Sequence, residues 1–306
     1  MFEGIAEGDI ISATVNIKSI AKAKTKNGKP YLKLVVNDGH NNIPAFFWDM
    51  EDCEFNEGDN VKIKAKYSQY DGKDKLDVVS LTESKDAVKL PTLNKTNLDE
   101  FKKRYQSIRK AIKDEDFNNV LDNILSGSIW DMYCRAPAAR SNHQAYIGGL
   151  LEHSVLVAEE CAAIAAIQAK NLNVDLLLTG ALLHDVGKIR EYEYEKKIDR
   201  STIGRLVGHT CLGLMIISRL MPEDFPAKKQ AELFHMIISH HGKRDWGAPI
   251  EPLMKEASIL HMCDNMDFYG SRFDEIKAAD KSGKTWSQRD ELCNRQWYLD
   301  SMEATK

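Results

Sequence analysis

The chain has 306 residues with a formal net charge of −4, and 43% of its residues are hydrophobic, so it can form two domains with ordinary packed cores. The mildly acidic balance argues against a general polyanion-binding protein. No run of about 18 apolar residues is present, which argues against a membrane protein. The acidic N-terminus has no signal-peptide pattern, and the six cysteines form no CxxC pair. These features together predict a cytoplasmic protein with reduced thiols.

Residues 1–88 have the pattern of a small β-domain. Short runs rich in β-branched and aromatic residues are separated by turn sequences such as Asn27-Gly28 and Asp71-Gly72. The predicted strands are residues 10–17, 31–36, 43–48, 61–67 and 75–81. Five short strands with such turns predict an all-β barrel of the oligonucleotide-binding (OB) type.

The predicted barrel has the residue types that hold single-stranded nucleic acid, which stacks on aromatic rings and lies along basic side chains. Residues 10–37 contain no acidic residue, and their lysines are Lys18, Lys22, Lys24, Lys26, Lys29 and Lys33. We expect Tyr31 and Trp48 to contact the nucleic acid. Because strand residues alternate in direction, Phe46 and Trp48 face one side and Phe47 the other, so at least one of these rings is core. The alternative for the lysines is protection of an exposed edge strand.

Helical periodicity replaces the strand pattern after Pro91. Phe101, Tyr105 and Ile108 fall on one face of a helix. Further helices are predicted at residues 117–134, 145–170, 175–186, 207–220, 227–241 and 255–269. The polar segment 280–306 is predicted to form a helix on the surface. The fold class is therefore multidomain, with the small β-barrel followed by an all-α helical bundle.

The helical half carries five clusters of potential metal ligands. They are His153, His184-Asp185, His209, His240-His241 and Asp264. Imidazole and carboxylate groups both bind divalent ions, and these side chains are enough for two ions. Two ions about 3.5–4 Å apart promote cleavage of a phosphate ester, because they stabilise both the attacking and the leaving oxygen. A single buried histidine is more often a core residue, so the prediction depends on the five clusters together.

Two of the clusters directly follow apolar helices. His184-Asp185 comes after the apolar run 176–183, and His240-His241 ends another helix. Adjacent residues on a helix diverge by about 100°, so both side chains can reach one site only if it lies near the helix end. Polar groups at a buried helix end need partners, and a metal ion can be that partner. If the site lies at the end of this helix, Asp185 can bridge two ions.

The order His…His-Asp…Asp resembles the signature of HD-domain phosphohydrolases. The added His209 and His240-His241 resemble the binuclear branch of that superfamily. Three longer strings are similar to the YhaM-type 3′–5′ exoribonucleases, in which an OB-type domain precedes the HD domain. They are His143-Gln-Ala-Tyr-Ile-Gly-Gly-Leu-Leu-Glu-His-Ser154, Gly180-Ala-Leu-Leu-His-Asp-Val-Gly-Lys188 and Ser239-His-His-Gly242. The resemblance covers residues 8 to 270, with one departure, since Gln144 stands where the family is expected to have a second histidine.

The resemblance implies a domain plan and a role for each candidate residue. The plan is an OB-fold nucleic-acid-binding domain at 1–88, a linker and helical lead-in at 89–135, an HD phosphohydrolase domain at 136–280 and a C-terminal extension at 281–306. The first ion would be held by His153, His184, Asp185 and Asp264. The second would share Asp185 and add His209, His240 and His241. Lys188 would lie near the scissile phosphate, with Arg140 and His143 as further substrate-binding residues, although Lys188 alone could also be a surface lysine at a helix end.

The predicted function is a metal-dependent 3′–5′ exoribonuclease that releases nucleoside 5′-monophosphates from the 3′ end of single-stranded RNA. Single-stranded DNA is an alternative substrate. Two divalent ions are expected, with Mn²⁺ favoured by the mixed ligand set and Fe²⁺, Co²⁺ or Zn²⁺ as alternatives. No membrane partner is expected, and a homo-oligomer is left open. One alternative function is an HD hydrolase acting on a nucleotide or another small phosphoester. Another is a non-enzymatic single-strand-binding or regulatory protein with a vestigial HD site.

Overall fold

The structure is a computed structural model that describes residues 5–39, 42–70, 73–86, 88, 90–140, 144–195, 197–280 and 283–300. His143 and the predicted turn at Asp71-Gly72 lie outside the described residues. The chain divides into two compact units, residues 1–91 with 194–197 and residues 92–193 with 198–306. No helix among the described residues is long and apolar enough to cross a membrane.

The first unit is a closed barrel of strands in the order β1-β2-β3-β5-β4. The strands are β1 Ile10–Lys24, β2 Pro30–Asn37, β3 Asn42–Trp48, β4 Asn60–Tyr70 and β5 Lys73–Glu83. Neighbouring strands are antiparallel except β3 and β5, which are parallel, and β4 pairs back onto β1. This arrangement is OB-like, and it confirms the predicted five-stranded barrel.

The core of the barrel follows from strand alternation, since every second side chain points inward. Val15, Leu34, Ile63 and Leu76 come from four different strands and are fully buried. Phe47 also packs against this core, while the aromatic residues on either side of it, Phe46 and Trp48, do not. The predicted division of the β3 aromatic residues between two faces is therefore confirmed.

The second unit is helical, as predicted, and it also contains the two-stranded sheet β6–β7. Its elements are α1 Lys95–Ala111, α2 Glu115–Ile124, α3 Gly127–Arg135, α4 Gly149–Ile167, α5 Val174–Leu183, α6 Lys188–Glu191, β6 Tyr192–Glu193, β7 Asp199–Arg200, α7 Thr202–Val207, α8 His209–Leu220, α9 Ala227–Ser239, a 3₁₀ helix Arg244–Trp246 and α10 Lys255–Ala279. Helix α4 packs against α1, α3, α5 and α10. Because α4 has neighbours on several sides, apolar residues are needed around most of its circumference.

Helix α5 is the most completely buried helix segment near the candidate site. Every residue from Leu176 to Leu183 is buried. Asn173 caps its start by accepting a hydrogen bond from the Leu176 amide at 3.0 Å. Tyr133 of α3 is fully buried and donates its hydroxyl hydrogen to the Leu182 carbonyl at 2.7 Å. The end of α5 is therefore fixed deep inside the unit.

Two of the predicted helices were wrong. The segment 117–134 is not one helix, because the chain breaks at Leu125–Ser126, directly before Gly127, which has a φ of 50°. Both pieces bury apolar residues, so the periodicity conceals the break. The described residues of the C-terminal segment, 283–300, contain no helix and instead pair through the bridges Trp286↔Tyr298 and Asp290↔Arg295. Arg272 and the Trp297 indole both donate to the buried Asp290 carboxylate, which favours this non-helical path.

Candidate metal centre

The predicted ligands converge in the helical unit as two groups of three. His153, His184 and Asp185 form one group, and in each group the candidate ligand atoms lie within 4.8 Å of one another. The other group is His209, His240 and His241. All of these residues are buried or half-buried.

Asp185 connects the two groups through its two carboxylate oxygens. Its Oδ2 lies 3.3 Å from the Nε2 atoms of both His153 and His184. Its Oδ1 lies 3.4 Å from His209 Nε2 and 3.7 Å from His240 Nε2. This is the placement needed for a carboxylate that is shared between two ions.

Asp264 and His241 complete the two groups. Asp264 Oδ1 lies 3.3 Å from His153 Nε2 and 3.9 Å from His184 Nε2, so this carboxylate joins the first group. His241 Nε2 lies 3.1 Å from His209 Nε2 in the second group. The structure thus brings together all seven side chains that the sequence singled out, whereas their roles as ligands stay a prediction.

The ends of helices position most of these side chains. His184 is the C-terminal cap of α5 and His240 is that of α9, so the next residues, Asp185 and His241, also face the centre. His209 is the first residue of α8. Only His153 and Asp264 lie inside helices, α4 and α10. The prediction that adjacent residue pairs would act from helix ends agrees with these positions.

A close backbone contact brings the starts of α6 and α8 together. A Cβ atom at Gly187 would lie 1.9 Å from the His209 carbonyl oxygen and 2.5 Å from the Gly213 amide nitrogen. Only glycine permits this approach. The contact places Asp185, two residues before Gly187, beside His209 at the start of α8.

Most of the imidazoles are held through their second ring nitrogen. His184 Nδ1 lies 2.7 Å from the Ala181 carbonyl, and His240 Nδ1 lies 2.7 Å from the Ile237 carbonyl. A carbonyl can only accept, so Nδ1 carries the hydrogen in both rings and donates it. The Nε2 lone pair is then directed toward the centre, which is the usual arrangement of a metal-bound histidine.

Two further histidines have their second ring nitrogen next to a carboxylate that the sequence did not single out. His153 Nδ1 lies 2.7 Å from Asp267 Oδ2, and His209 Nδ1 lies 3.0 Å from Glu191 Oε2. Asp267 follows Asp264 by three residues on one helix, and Glu191 follows Lys188 by the same spacing. This i,i+3 spacing, which places both residues on one helix face, was the signal available in the sequence.

Gln144 supports one of these carboxylates instead of acting as a ligand. Its side chain is buried, and Nε2 donates to Asp267 Oδ2 at 3.0 Å and to Ser271 Oγ at 3.3 Å. Gln144 has a φ of 49°, and a Cβ atom at Gly149 would lie 2.0 Å from its carbonyl oxygen. The residue that departs from the family pattern is therefore part of a hydrogen-bonded chain that ends at His153.

The electrostatics of the centre favour a bound cation. Burial opposes the charge on His153, but hydrogen bonds with Asp185, Asp264 and Asp267 raise its pKa well above the ordinary value. Burial and the neighbouring His209 lower the pKa of His241 to about 4. The first group is thus rich in negative charge, and the second offers a neutral imidazole.

Among the residues that the structure describes, several buried polar atoms of the centre have no hydrogen-bond partner. They are Asp185 Oδ1, Glu191 Oε2, His240 Nε2 and His241 Nδ1. Unpaired buried polar atoms are costly and uncommon. Asp185 Oδ1 and His240 Nε2 face other ligand atoms, and a divalent cation between them would satisfy both. The residues present therefore fit a divalent-metal site.

The remaining predicted substrate residues lie in different surroundings. Lys188 is buried, and its Nζ lies 2.5 Å from Asp185 Oδ2, directly at the centre. Arg140 is exposed, and its Nη1 lies 3.8 Å from Asp199 Oδ1. His143 is outside the described residues, so its predicted role stays a prediction.

Tyr31 and Trp48 lie side by side on the outside of the barrel. They are cross-strand partners on β2 and β3, and their ring centroids are 4.9 Å apart. Phe46 stacks on Trp48 with a centroid distance of 5.5 Å and an interplanar angle of 12°. These three rings, the aromatic platform, form a partly exposed surface on one barrel face.

Comparison with known proteins agrees with the fold and the centre. Residues 150–269 match the HD domain family. The chain is 29% identical over 95% of its length to a protein named 3′-5′ exoribonuclease YhaM from Geobacillus sp. (strain WCH70), of which 92% is covered. A protein of the same name from Listeria innocua is 28% identical, with 97% of each chain covered.

Among solved structures, a replication protein A heterotrimer bound to ssDNA matches 28% of this chain and 65% of its own chain at 14% identity. Its TM-score of 0.23 is too low to support a conclusion. The HD domain, by contrast, implies that the helical unit binds a divalent metal, in agreement with the cluster of His153, His184 and Asp185. The chain contains an HD domain and is, along nearly its whole length, a homologue of proteins named 3′-5′ exoribonuclease YhaM.

Proposed function

We propose that this protein is a metal-dependent 3′–5′ exoribonuclease, which hydrolyses phosphodiester bonds of single-stranded RNA from the 3′ end and releases nucleoside 5′-monophosphates. The observation that carries the proposal is the single carboxylate, Asp185, that faces two groups of histidines in an HD domain. The name of the relatives, which align over 95% of the chain, supports the same activity. Single-stranded DNA is a second substrate to be tested.

The contacts around Asp185 support two ligand sets. His153, His184, Asp185 and Asp264 would hold one ion, and Asp185 with His209, His240 and His241 would hold the other. A mixed imidazole and carboxylate set suits Mn²⁺, with Fe²⁺, Co²⁺ and Zn²⁺ as the competing ions. When bound, the divalent ions supply Lewis-acid charge to the phosphoryl oxygens and lower the pKa of water.

The side chains of the chain itself bind and orient the reacting groups. Burial opposes the charge on Lys188, but the nearby Asp185 carboxylate raises its pKa, so the amine is protonated at neutral pH. A buried ammonium group next to the centre can neutralise charge on the phosphate in the transition state. Asp267 and Glu191 fix the rings of His153 and His209, so that these ligands keep their direction throughout the reaction.

The aromatic platform of the barrel gives a reason for a polymeric substrate. Bases stack on exposed rings with little regard to sequence, and each stacked base contributes about 1–3 kcal/mol. Trp48 is 43% exposed, and Lys33 is the cross-strand partner of Phe46 on the same strand pair. Of the other lysines, Lys22 pairs with Asp52 at 2.6 Å, and Lys29 lies 3.6 Å from Asp49. The barrel would hold the strand during repeated cleavage.

The test is a degradation assay on 3′-labelled single-stranded RNA and DNA with Mn²⁺ and with a chelator. We expect mononucleotide products in Mn²⁺ and none with the chelator. Asp185→Asn should abolish cleavage and reduce the bound metal measured by elemental analysis. Full nuclease activity of Asp185→Asn would overturn the proposed site, and hydrolysis of free nucleotides without RNA cleavage would favour a small-phosphoester hydrolase. A cytoplasmic location and a homo-oligomer stay predictions.

A further inference from the structure

Three arginines lie together beside the second group of ligands. Arg200 ends β7 and Arg205 lies in α7, while Arg140 follows α3. Their side chains are 54%, 61% and 59% exposed, respectively. We call these residues the arginine cluster. Arg140 is one of the predicted substrate-binding residues, whereas Arg200 and Arg205 were not predicted.

Two carboxylates hold the arginine cluster in place. Arg205 Nη2 lies 3.3 Å from Asp199 Oδ1, and Arg140 Nη1 lies 3.8 Å from the same oxygen. Arg200 Nε lies 3.4 Å from Glu191 Oε1. Each guanidinium has five N–H donors, and these contacts use a minority of them. The cluster therefore presents further N–H donors to solvent, while Glu193, the cross-strand partner of Asp199, adds a third carboxylate nearby.

Glu191 connects the arginine cluster to the metal centre. Its Oε1 faces Arg200, its Oε2 lies 3.0 Å from His209 Nδ1, and its side chain is 3% exposed. His209 in turn reaches Asp185 with its other nitrogen at 3.4 Å. Arg200 is thus one buried carboxylate away from a candidate ligand, while Arg140 and Arg205 belong to the cluster through Asp199.

The backbone around the arginine cluster is tightly packed. Ser201 Oγ donates to the Arg190 carbonyl at 2.8 Å and accepts from the Gly204 amide at 2.9 Å. A Cβ atom at Gly204 would lie 2.3 Å from the Glu191 carbonyl oxygen. The segment that carries Arg200 and Arg205 is therefore fixed against α6, and the exposed guanidinium groups start from a rigid base.

We propose that Arg140, Arg200 and Arg205 form a phosphate-binding subsite, which takes a phosphodiester of the substrate strand on the 5′ side of the scissile bond. Guanidinium groups match the oxygens of a phosphate in bidentate geometry. In the proposed function the metal centre and Lys188 bind the scissile phosphate, so a second anion site linked to the centre through Glu191 suits a polymer with repeated phosphates. This subsite rests on the proposed nuclease function and names the part of the strand that the enzyme recognises.

The test compares the dinucleoside monophosphate ApA, whose only phosphodiester is the scissile one, with longer oligoadenylates. In the wild type, KM should fall when upstream phosphates are added. In Arg140→Gln/Arg205→Gln, the ratio of kcat/KM for the longer oligomers to that for ApA should fall at least about tenfold, as expected for loss of a good charged contact. In the double variant, the slope of log KM against the logarithm of the salt concentration should also be smaller than in the wild type, by about 0.7 for each lost phosphate contact.

Matched variants separate this subsite from a general change of charge. Arg219→Gln removes an exposed arginine of α8 outside the arginine cluster and should leave the ratio unchanged. Arg205→Lys should recover part of the ratio, because it keeps the charge but loses the bidentate geometry. Bound metal, measured by elemental analysis, checks that the double variant keeps its centre.

The outcomes separate two failures. A wild type that cleaves neither ApA nor longer RNA would overturn the proposed function itself. A wild type that cleaves both with the same KM, or a double variant that keeps the full preference for longer oligomers, would overturn the subsite while the nuclease function stands.

Discussion

Asp185 is a buried charge whose surroundings explain why it stays ionised. Burial opposes ionisation, but the charge of Lys188 and the hydrogen bond with His153 hold its pKa well below the ordinary value. A buried carboxylate without such partners would take up a proton. The same partners that keep Asp185 charged also surround the place where a cation would bind.

Asp267 should control the metal affinity of the first group without touching the metal. Its Oδ2 accepts hydrogen bonds from both His153 Nδ1 and Gln144 Nε2. Asp267→Asn removes the charge that fixes the His153 ring, and loss of such a supporting carboxylate typically costs 10–100-fold in metal affinity. We expect a loss of about this size in Mn²⁺ binding measured by calorimetry.

Asp274→Asn is the matched control for Asp267→Asn, because Asp274 lies on the same helix with an exposed side chain. It should leave Mn²⁺ affinity unchanged. Gln144→Ala should have an effect in the same direction as Asp267→Asn but smaller, since it removes one neutral hydrogen bond. Equal Mn²⁺ affinity in the wild type and Asp267→Asn would mean that His153 is held by other contacts.

At the scale of helices and loops, the centre depends on where helices end. Helices α5 and α9 each stop directly before a pair of candidate ligand residues. Because the helix ends there, both side chains of each pair can reach the centre. The start of α8 meets the start of α6 through Gly187. The position of one ligand group relative to the other is therefore set by backbone packing as well as by side-chain contacts.

Gly187→Ala should separate the two groups of ligands. The added methyl group would lie against the His209 carbonyl and the Gly213 amide, and backbone atoms cannot move aside as a flexible side chain can. Overpacking of this kind costs about 1–3 kcal/mol of stability. We expect a lower melting temperature together with weaker Mn²⁺ binding and slower RNA cleavage.

Gly270→Ala provides the comparison for Gly187→Ala. A Cβ atom at Gly270, in the middle of α10, would meet no atom within 4 Å. Because alanine favours a helix over glycine by about 1 kcal/mol, this substitution should leave the melting temperature unchanged or raise it. If Gly187→Ala behaved in the same way, the close approach of α6 and α8 would not matter for the site.

At the scale of the whole molecule, the chain combines two units with different chemistry. The barrel offers exposed rings and lysines, whereas the helical unit buries histidines and carboxylates around one centre. A strand of nucleic acid needs both a surface that tolerates any base and a site that hydrolyses one bond. The two units supply these properties separately, so they can be perturbed separately.

Removal of the aromatic platform should weaken the use of long RNA more than the chemistry of bond cleavage. Tyr31→Ala/Trp48→Ala takes away two of its three rings, and we expect binding of single-stranded RNA to weaken by at least about tenfold. The ratio of kcat/KM for a long RNA to that for a small phosphodiester should fall accordingly. Fluorescence anisotropy and parallel hydrolysis assays measure the two effects.

Trp286→Ala tests whether any exposed aromatic residue has this effect, since Trp286 is 54% exposed and lies outside the barrel. It should leave the ratio of kcat/KM for a long RNA to that for a small phosphodiester unchanged. Equal loss of activity on long RNA and on a small phosphodiester in Tyr31→Ala/Trp48→Ala would indicate that the platform has a structural role and does not bind RNA.

Much of this arrangement could be predicted from local patterns. Alternation and turn residues predicted the barrel strands, and 3.6-residue periodicity predicted most of the helices. The apolar run before His184-Asp185 also indicated that these polar residues end a buried helix. Such features depend on residues close together in the chain, and short-range physics determines them.

The missed features depend on contacts between distant residues. Asp267 supports His153 from 114 positions away, and Gln144 reaches Asp267 across 123 positions. The break at Leu125–Ser126 and the non-helical path of 283–300 depend likewise on what each segment packs against. Residue types identified the candidate ligands, because few side chains bind divalent ions. Which carboxylate orients which imidazole, and which arginines gather beside them, was decided only when the helices packed, since a hydrogen bond requires two atoms about 3 Å apart.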